Sequence, residues 1–335
     1  MRNFRTEPFS SPCHVCGSTE RRNTYPHGCK GCFKKEKQAI AARVKKRQES
    51  AILADEARQS LDRGGGVSGF FQSARDQKIR DIHNRIVSLL DADIKLIRDT
   101  HQYVLASNKT LKFRNVTSVI AKHFEPFHAR QIATRLVSIS AKYSRRYTVD
   151  ELVAKWESEA ETGTLVHSEL QKYIEDGKKP KSIIGKRGAR WFDTHILGPS
   201  TRYDSEYYCE VRLFHEELGL AGTVDLLVHD KKSGNCYILD WKTSKKIERR
   251  GYEGKKGTTS ATRTLPDCRY SKYALQMTLY RYILEKKFQI PIKASYIIHV
   301  PRRASASRRK LGKAHVQLIK ARYLRANAER ILAML

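Results

Sequence analysis

Three short runs in the middle of the chain constrain its fold most. "YYCEVRLFH", "GTVDLLVHD" and "CYILDWKT", between Tyr207 and Thr243, are rich in aromatic and β-branched residues, a composition that suits a pleated, half-buried surface. The segments "EELG" and "DKKSGN" separate them and read as turns. An antiparallel meander of three strands follows.

Around this meander the apolar period becomes helical. "IRDIHNRIVSLLDADIKLI" spaces Ile79, Ile82, Ile86, Leu89 and Leu90 along one helix face. "NVTSVIAKHF" starts after a polar cap, and "TVDELVAKWESEA" carries Thr148 and Glu151 as a capping box. "TGTLVHSELQKYIEDG" predicts another helix, stopped by Gly177. Further on, "SKYALQMTLYRYILEKKF" predicts a helix and "KASYIIHVP" a fourth strand. The tail runs from the basic "RRASASRRK", which could equally be a nuclear-localisation signal, into a closing helix. No internal repeat is present. The fold class is α/β: a helical N-terminal part and a mixed central sheet flanked by helices.

Charge narrows the partners. With 65 Lys+Arg against 35 Asp+Glu, the chain carries +30, a balance that attracts polyanions through counterion release. No apolar run approaches the roughly 20 residues of a membrane helix, which disfavours a membrane partner. The N-terminus lacks the apolar core of a secretory signal, so an intracellular location, nuclear or cytoplasmic, is expected. In a reducing compartment the seven cysteines do not form a disulfide framework. Cys209, Cys236 and Cys268 are expected to be buried or incidental thiols.

The other four fall in a small module over residues 1–35. Cys13, Cys16, Cys29 and Cys32 are spaced C-x2-C-x12-C-x2-C, which lets two thiolate pairs wrap a structural Zn²⁺ tetrahedrally. Few apolar residues surround them, so the metal would supply most of the folding energy. "GCKGCFKK" resembles the first zinc module of nuclear-receptor DNA-binding domains. The second module of those domains is missing, which argues against sequence-specific reading. Arg21, Arg22, Lys30, Lys34 and Lys35 favour a nucleic-acid role over protein docking. Residues 36–75 follow as a charged helix and a linker containing three consecutive glycines, and 76–335 form the main domain.

The meander also carries chemistry. Residues i and i+2 of a strand share a face, so Asp240 and Lys242 project together while Trp241 faces away. Asp225 lies on the preceding strand. Carboxylates from paired strands can share a hard divalent cation such as Mg²⁺, and a lysine beside them can position a water or offset charge on a phosphorane.

Asp-x-Lys alone is a weak signal, but five motifs in order resemble the PD-(D/E)xK nuclease superfamily, closest to its RecB-like, lambda-exonuclease-like and mitochondrial genome-maintenance exonuclease-like branch. They are "FRNVTSVIAKHFEPF", "GTLVHSELQKYI", "YYCEVRLF", "AGTVDLLV" with "YILDWKT", and "YALQMTLYRYIL". Val224 stands where the superfamily's name has proline, a departure many members of that branch share. The resemblance implies that Asp225, Asp240 and His167 bind Mg²⁺ or Mn²⁺, aided by the Trp241 carbonyl. It makes Lys242 the catalytic lysine, sets Glu210 behind the metal, and has Gln276 and Tyr280 touch the substrate strand or hold the lysine.

A basic, glycine-containing insertion over 243–270 reads as a mobile loop beside this site. Its Lys245, Lys246, Arg249 and Arg250 would contact phosphates, and Tyr252 and Tyr270 would stack bases. The expected activity is a metal-dependent deoxyribonuclease, an exonuclease on DNA ends or single strands in replication, recombination or repair, with RNA left open and replication or recombination proteins as partners. The alternatives are a structure-selective endonuclease of the same superfamily and a catalytically silent nucleic-acid-binding protein.

Overall fold

The computed structural model describes residues 67–97, 100–198, 205–302 and 315–335. The chain divides into two compact units, Met1–Ser73 and Ala74–Leu335. Cys13, Cys16, Cys29 and Cys32 lie outside the described residues, as does most of the basic "RRASASRRK".

The predicted meander forms as β4 (Ser205–His215), β5 (Leu220–Asp230) and β6 (Asn235–Lys242), paired antiparallel in that order. The expected fourth strand is β7 (Ile292–His299), which runs parallel to β6. Two further strands of this sheet escaped the sequence reading: β3 (Arg114–Asn115), parallel to the start of β5, and β8 (Gln317–Lys320), antiparallel to β7. β3 is only two residues long. β8 has no fully buried residue, so neither shows a hydrophobic run. The result is a mixed sheet of six strands.

Helices cover both faces. On one side pack α1 (Val67–Leu90) through Ile82, Ile86 and Leu89, α2 (Val116–Ala121) through Val119 and Ile120, α7 (Arg269–Lys286) and α8 (Arg325–Leu332). On the other side α5 (Val149–Asp176) contributes Val166 and Leu170, and α6 (Ile183–His195) contributes Trp191 and Phe192. Each such fully buried side chain contributes roughly 1.5–3 kcal/mol. Helix α7 is the central one: every residue from Ala274 to Tyr280 is buried, which explains why its apolar residues follow no single stripe. A hairpin of β1 (Ile94–Ile97) and β2 (Gln102–Leu105) packs at the edge against Phe214 and Ala221. Helices α3 (Ala129–Ile139) and α4 (Ala141–Ser144) lead into α5.

The helix ends follow the chemistry of their caps. Asn115 accepts a hydrogen bond from the Thr117 amide at the start of α2, and Thr148 with Glu151 forms the complete capping box of α5. Gly177 ends α5 with φ of 66°, a left-handed conformation that glycine adopts without strain. The two helices expected between Thr148 and Gly177 are one, of 28 residues. Helix α1 begins at Val67, inside the stretch read as a linker, and stops at Leu90. Ile94 and Ile97, which continued its apparent period, belong to β1 instead. Helix α6 was missed because Gly185 and Gly188 lower helix propensity. Their absent side chains are a packing requirement: a Cβ at Gly188 would lie 3.0 Å from a Leu170 methyl.

The alternation of inward residues slips once within the sheet. In β4, Tyr207 and Cys209 face α5 and α6, whereas Val211 and Leu213 face α7. In β5, Val224 faces α7 but Leu226 and Val228 face α5 and α6. The register between the strands is the same on either side of the slip, with Cys209 opposite Leu226 and Val211 opposite Val224. Between these pairs stand Glu210 and Asp225. Glu210 has φ of 49°, a left-handed conformation that costs a non-glycine residue on the order of 1 kcal/mol. The strain sits at the one position where both strands change phase.

Two predictions follow from packing. Gly222 of β5 lies under the Tyr280 ring, and a Cβ there would meet Tyr280 Cε1 at 2.4 Å. Gly222→Ala should cost about 1–3 kcal/mol in urea denaturation, and less in a Tyr280→Leu background, by double-mutant cycle. The second concerns Glu206 of β4. Its Oε2 accepts from Tyr208 at 2.7 Å and lies 3.0 Å from His83 Nδ1 and 3.2 Å from His229 Nδ1, with Lys231 Nζ 3.9 Å from Oε1. Burial alone would raise its pKa, but the hydrogen bonds from His229, Tyr208 and His83 hold it down at about 2. That stabilisation is complete above the ordinary value of 4.5 and is lost as pH falls towards 2. The stability gap between wild type and Glu206→Gln should therefore shrink as denaturation is repeated from pH 6 to pH 3; an unchanged gap would refute the assignment.

Candidate active site

Strands β5 and β6 are paired from Asp230 and Asn235 to Leu226 and Leu239, and no further. Beyond that pair they part, and the next residues on each are Asp225 and Asp240. The Asp225 carboxylate occupies the fork: its Oδ2 accepts a hydrogen bond from the Trp241 amide at 2.8 Å. A side chain thus replaces the main-chain acceptor that the divergent strand no longer offers. Beyond the fork β6 stays pinned to β7, and the Val300 amide donates to the Lys242 carbonyl at 2.8 Å.

The predicted alternation along β6 holds. Trp241 packs among the α5/α6 side chains, edge-on to Trp191 with ring centroids 6.2 Å apart. Asp240 and Lys242 project to the other face as an ion pair, Nζ to Oδ2 2.6 Å. Helix α5 brings His167 to the fork, its Nδ1 3.2 Å from Asp225 Oδ2. Ligand atoms of His167, Glu210 and Asp225 all lie within 4.8 Å of one another. The strained turn of the chain at Glu210 is what carries that carboxylate to the site. Five residues expected to act together are therefore brought to one place by three strands and a helix.

The electrostatics follow from burying this set. Burial opposes ionisation of Asp225, yet His167, Lys242 and the Trp241 amide hold its pKa below the usual carboxylate range. Asp240 goes the other way: burial and the adjacent Asp225 push it up against the pull of Lys242. Burial also works against a charged His167, but the Asp225 carboxylate outweighs it and lifts the imidazole to about 9. Lys242 stays charged for the same reason, between Asp240 and Asp225.

One feature tests whether a metal suits these residues. Oδ1 of the buried Asp240 carboxylate has no hydrogen-bond partner among the described residues, and Oδ2 has only the Lys242 ammonium, at 2.6 Å. Buried carboxylate oxygens are normally satisfied. Asp225, Glu210 and His167 form a converging set of two carboxylates and one imidazole that suits a hard divalent cation, with the Asp240 carboxylate next to Asp225. The residues fit the group.

Sequence reasoning missed Tyr273, one turn into α7. Lys242 Nζ lies over its ring, 4.7 Å from the centroid, a cation–π contact that helps to fix the ammonium alongside the Asp240 pair. Its signal, an aromatic residue three positions before Gln276, was masked by the four tyrosines of that helix. Gln276 and Tyr280 lie deeper. Gln276 Nε2 donates to Tyr280 Oη at 3.0 Å, and both are buried, Tyr280 only 3% exposed. Tyr280 presents no surface for a strand to touch.

The insertion after β6 is not a loose loop. Ala261 and Thr262 are fully buried, Thr262 Oγ1 donates to the His123 carbonyl at 2.7 Å, and Asn327 Nδ2 donates to the Ala261 carbonyl at 2.7 Å. The expected mobility is overturned because small residues at its tip, not its basic flanks, decide how it packs. Lys245, Lys246, Arg249 and Arg250 are exposed on its first part. The Arg249 guanidinium covers the Tyr270 ring at 4.2 Å, whereas Tyr252 is 67% exposed.

A family model described as the PD-(D/E)XK nuclease superfamily matches residues 140–334. That span exceeds half of the chain and contains every element of the fork: the chain belongs to this superfamily. Membership implies a metal-dependent nuclease acting on nucleic acid, with a divalent metal as cofactor. No curated protein matches the chain. No helix among the described residues is long and apolar enough to cross a membrane.

If Tyr273 positions the lysine, Tyr273→Leu should lower kcat for DNA cleavage roughly tenfold at nearly unchanged KM, and Tyr273→Phe, which keeps the ring, should restore it. Equal losses in both variants would assign the effect to the hydroxyl instead.

Proposed function

We propose that the chain is a Mg²⁺- or Mn²⁺-dependent deoxyribonuclease, an exonuclease working on DNA ends or single strands. The observation that carries this reading is the buried Asp240 carboxylate, with Oδ1 unpartnered, beside Asp225 and paired through Oδ2 with Lys242. A protein that only binds nucleic acid has no use for two acids and an ammonium enclosed at a strand fork.

In this reading Asp225 and Asp240 hold the cation, joined by the Trp241 carbonyl, with His167 and Glu210 at its border. When bound, such a cation polarises a phosphodiester and makes a bound water more acidic. Lys242 then orients the attacking water and offsets the charge that builds on the phosphorane, a contribution worth most where solvent is excluded. Tyr273 and Asp240 together hold the ammonium in place. Asp225 has a double duty, since it also accepts from the Trp241 amide. Gln276 and Tyr280 support the α7 side of the site from within the core rather than touching the strand. Lys245, Lys246, Arg249 and Arg250 supply phosphate contacts next to the catalytic strand end. The cysteine module, by its spacing, holds a structural Zn²⁺ and adds nucleic-acid affinity.

End-labelled linear, closed circular and flapped DNA, incubated with Mg²⁺, tests the reading. Linear single strands should be shortened from an end. Cutting of closed circular single strands would replace the exonuclease with an endonuclease. Binding without cleavage in Mg²⁺ or Mn²⁺ would leave a silent binding protein. Lys242→Ala should lower kcat by at least about 100-fold while metal binding, measured by calorimetry, persists. Asp240→Asn should weaken both.

A further inference from the structure

A cleft of about 370 Å³ opens where α7, β7 and β8 meet, some way from the fork. Four cationic side chains line it, Arg281, Lys293, Lys320 and Arg322, flanked by Tyr270 and Tyr323, and no carboxylate does. Arg281 is already committed: it pairs with Glu285 at 2.8 Å and lies over the Tyr323 ring at 4.1 Å. Lys293, Lys320 and Arg322 are exposed and make no ion pair with any described residue. Like charges that converge without a counter-charge create a local positive potential, and an anion relieves it.

Position relates this cleft to the fork. Lys293 stands near the start of β7, and His299, at its end, is opposite Lys242. Along a strand that separation is about 20 Å, and about 13 Å from Ser295, which also lines the cleft. At the duplex rise of about 3.4 Å per nucleotide the cleft lies four to six nucleotides from Lys242, and an extended single strand, with its longer rise, covers the distance in fewer. The lack of acids, the three uncommitted cations and this spacing favour a phosphodiester backbone over any other anion.

We propose that the cleft is a phosphate-binding subsite that grips the substrate strand within about six nucleotides of the scissile bond, through Lys293, Lys320 and Arg322. It deepens the nuclease reading and rests on it for the identity of the strand. None of the three residues belongs to the catalytic set, so they act on affinity rather than on the chemical step.

The test uses the full chain and a fluorescein-labelled 20-nucleotide single strand with no added Mg²⁺ or Mn²⁺, so that nothing is cut, with anisotropy read from 50 to 200 mM salt. Lys293→Ala/Lys320→Ala/Arg322→Ala should raise Kd roughly tenfold at low salt and reduce the slope of log K against log salt by about 2, near 0.7 per lost phosphate contact. Mg²⁺-dependent hydrolysis of thymidine 5′-p-nitrophenyl phosphate, too short to reach the cleft, should be unchanged. An unaltered slope would overturn the proposal. So would an equal loss on the small substrate, which would mean a damaged fold, or a selective loss of binding to phosphatidylserine vesicles, which would make the cleft a lipid site. If wild type binds with the expected slope change but hydrolyses nothing, the nuclease reading fails and the subsite stands.

Discussion

Two strands that hydrogen-bond for five residues and then separate leave main-chain groups that something else must satisfy. In this chain the Asp225 carboxylate does so, by taking the Trp241 amide where β6 leaves β5. The parting sets the buried Asp240 and its partner Lys242 at the fork, directly after the last paired residues. It also explains why β6 is held on its far side by the parallel β7, without which the end of a parted strand would have no ladder at all. The site is thus the consequence of an interrupted sheet rather than an addition to a finished one.

The slip in alternation at Glu210 and Asp225 belongs to the same interruption. Backbone strain of on the order of 1 kcal/mol at Glu210 is small against the burial on both faces of the sheet, so the fold tolerates it readily. Its effect is directional. The same pair of residues that changes which helices the strands face also turns two carboxylates towards His167. Burial then separates the two aspartates electrostatically: Asp225, with His167, Lys242 and the Trp241 amide around it, stays ionised easily, while burial and the neighbouring Asp225 push Asp240 the other way against the single pull of Lys242. A set with that imbalance favours a cation of higher charge than a lysine alone provides.

Much of this was legible in the sequence. The meander, α7, β7 and the caps Asn115, Thr148 and Gly177 are written in local patterns of alternation, apolar period and polar punctuation. So is the pairing of Asp240 with Lys242, because a two-residue spacing on a strand has one meaning. What escaped depends on contacts distant in sequence. Gly185 and Gly188 make α6 look like a loop, and only the presence of Leu170 explains them. Tyr273 was hidden among similar residues, and Tyr280 looked like a substrate contact although Gly222 shows it to be enclosed. The segment 243–270 looked loose because its charges dominate its composition, yet Ala261 and Thr262 anchor it.

In the proposed reading one carboxylate serves both the sheet and the chemistry, which limits how this scaffold can change. Descendants that lose hydrolysis can discard Asp240 or Lys242 without disturbing the strand ends, whereas Asp225 must give way to something that still accepts from the Trp241 amide. An asparagine there would mark a retired enzyme that has kept its architecture.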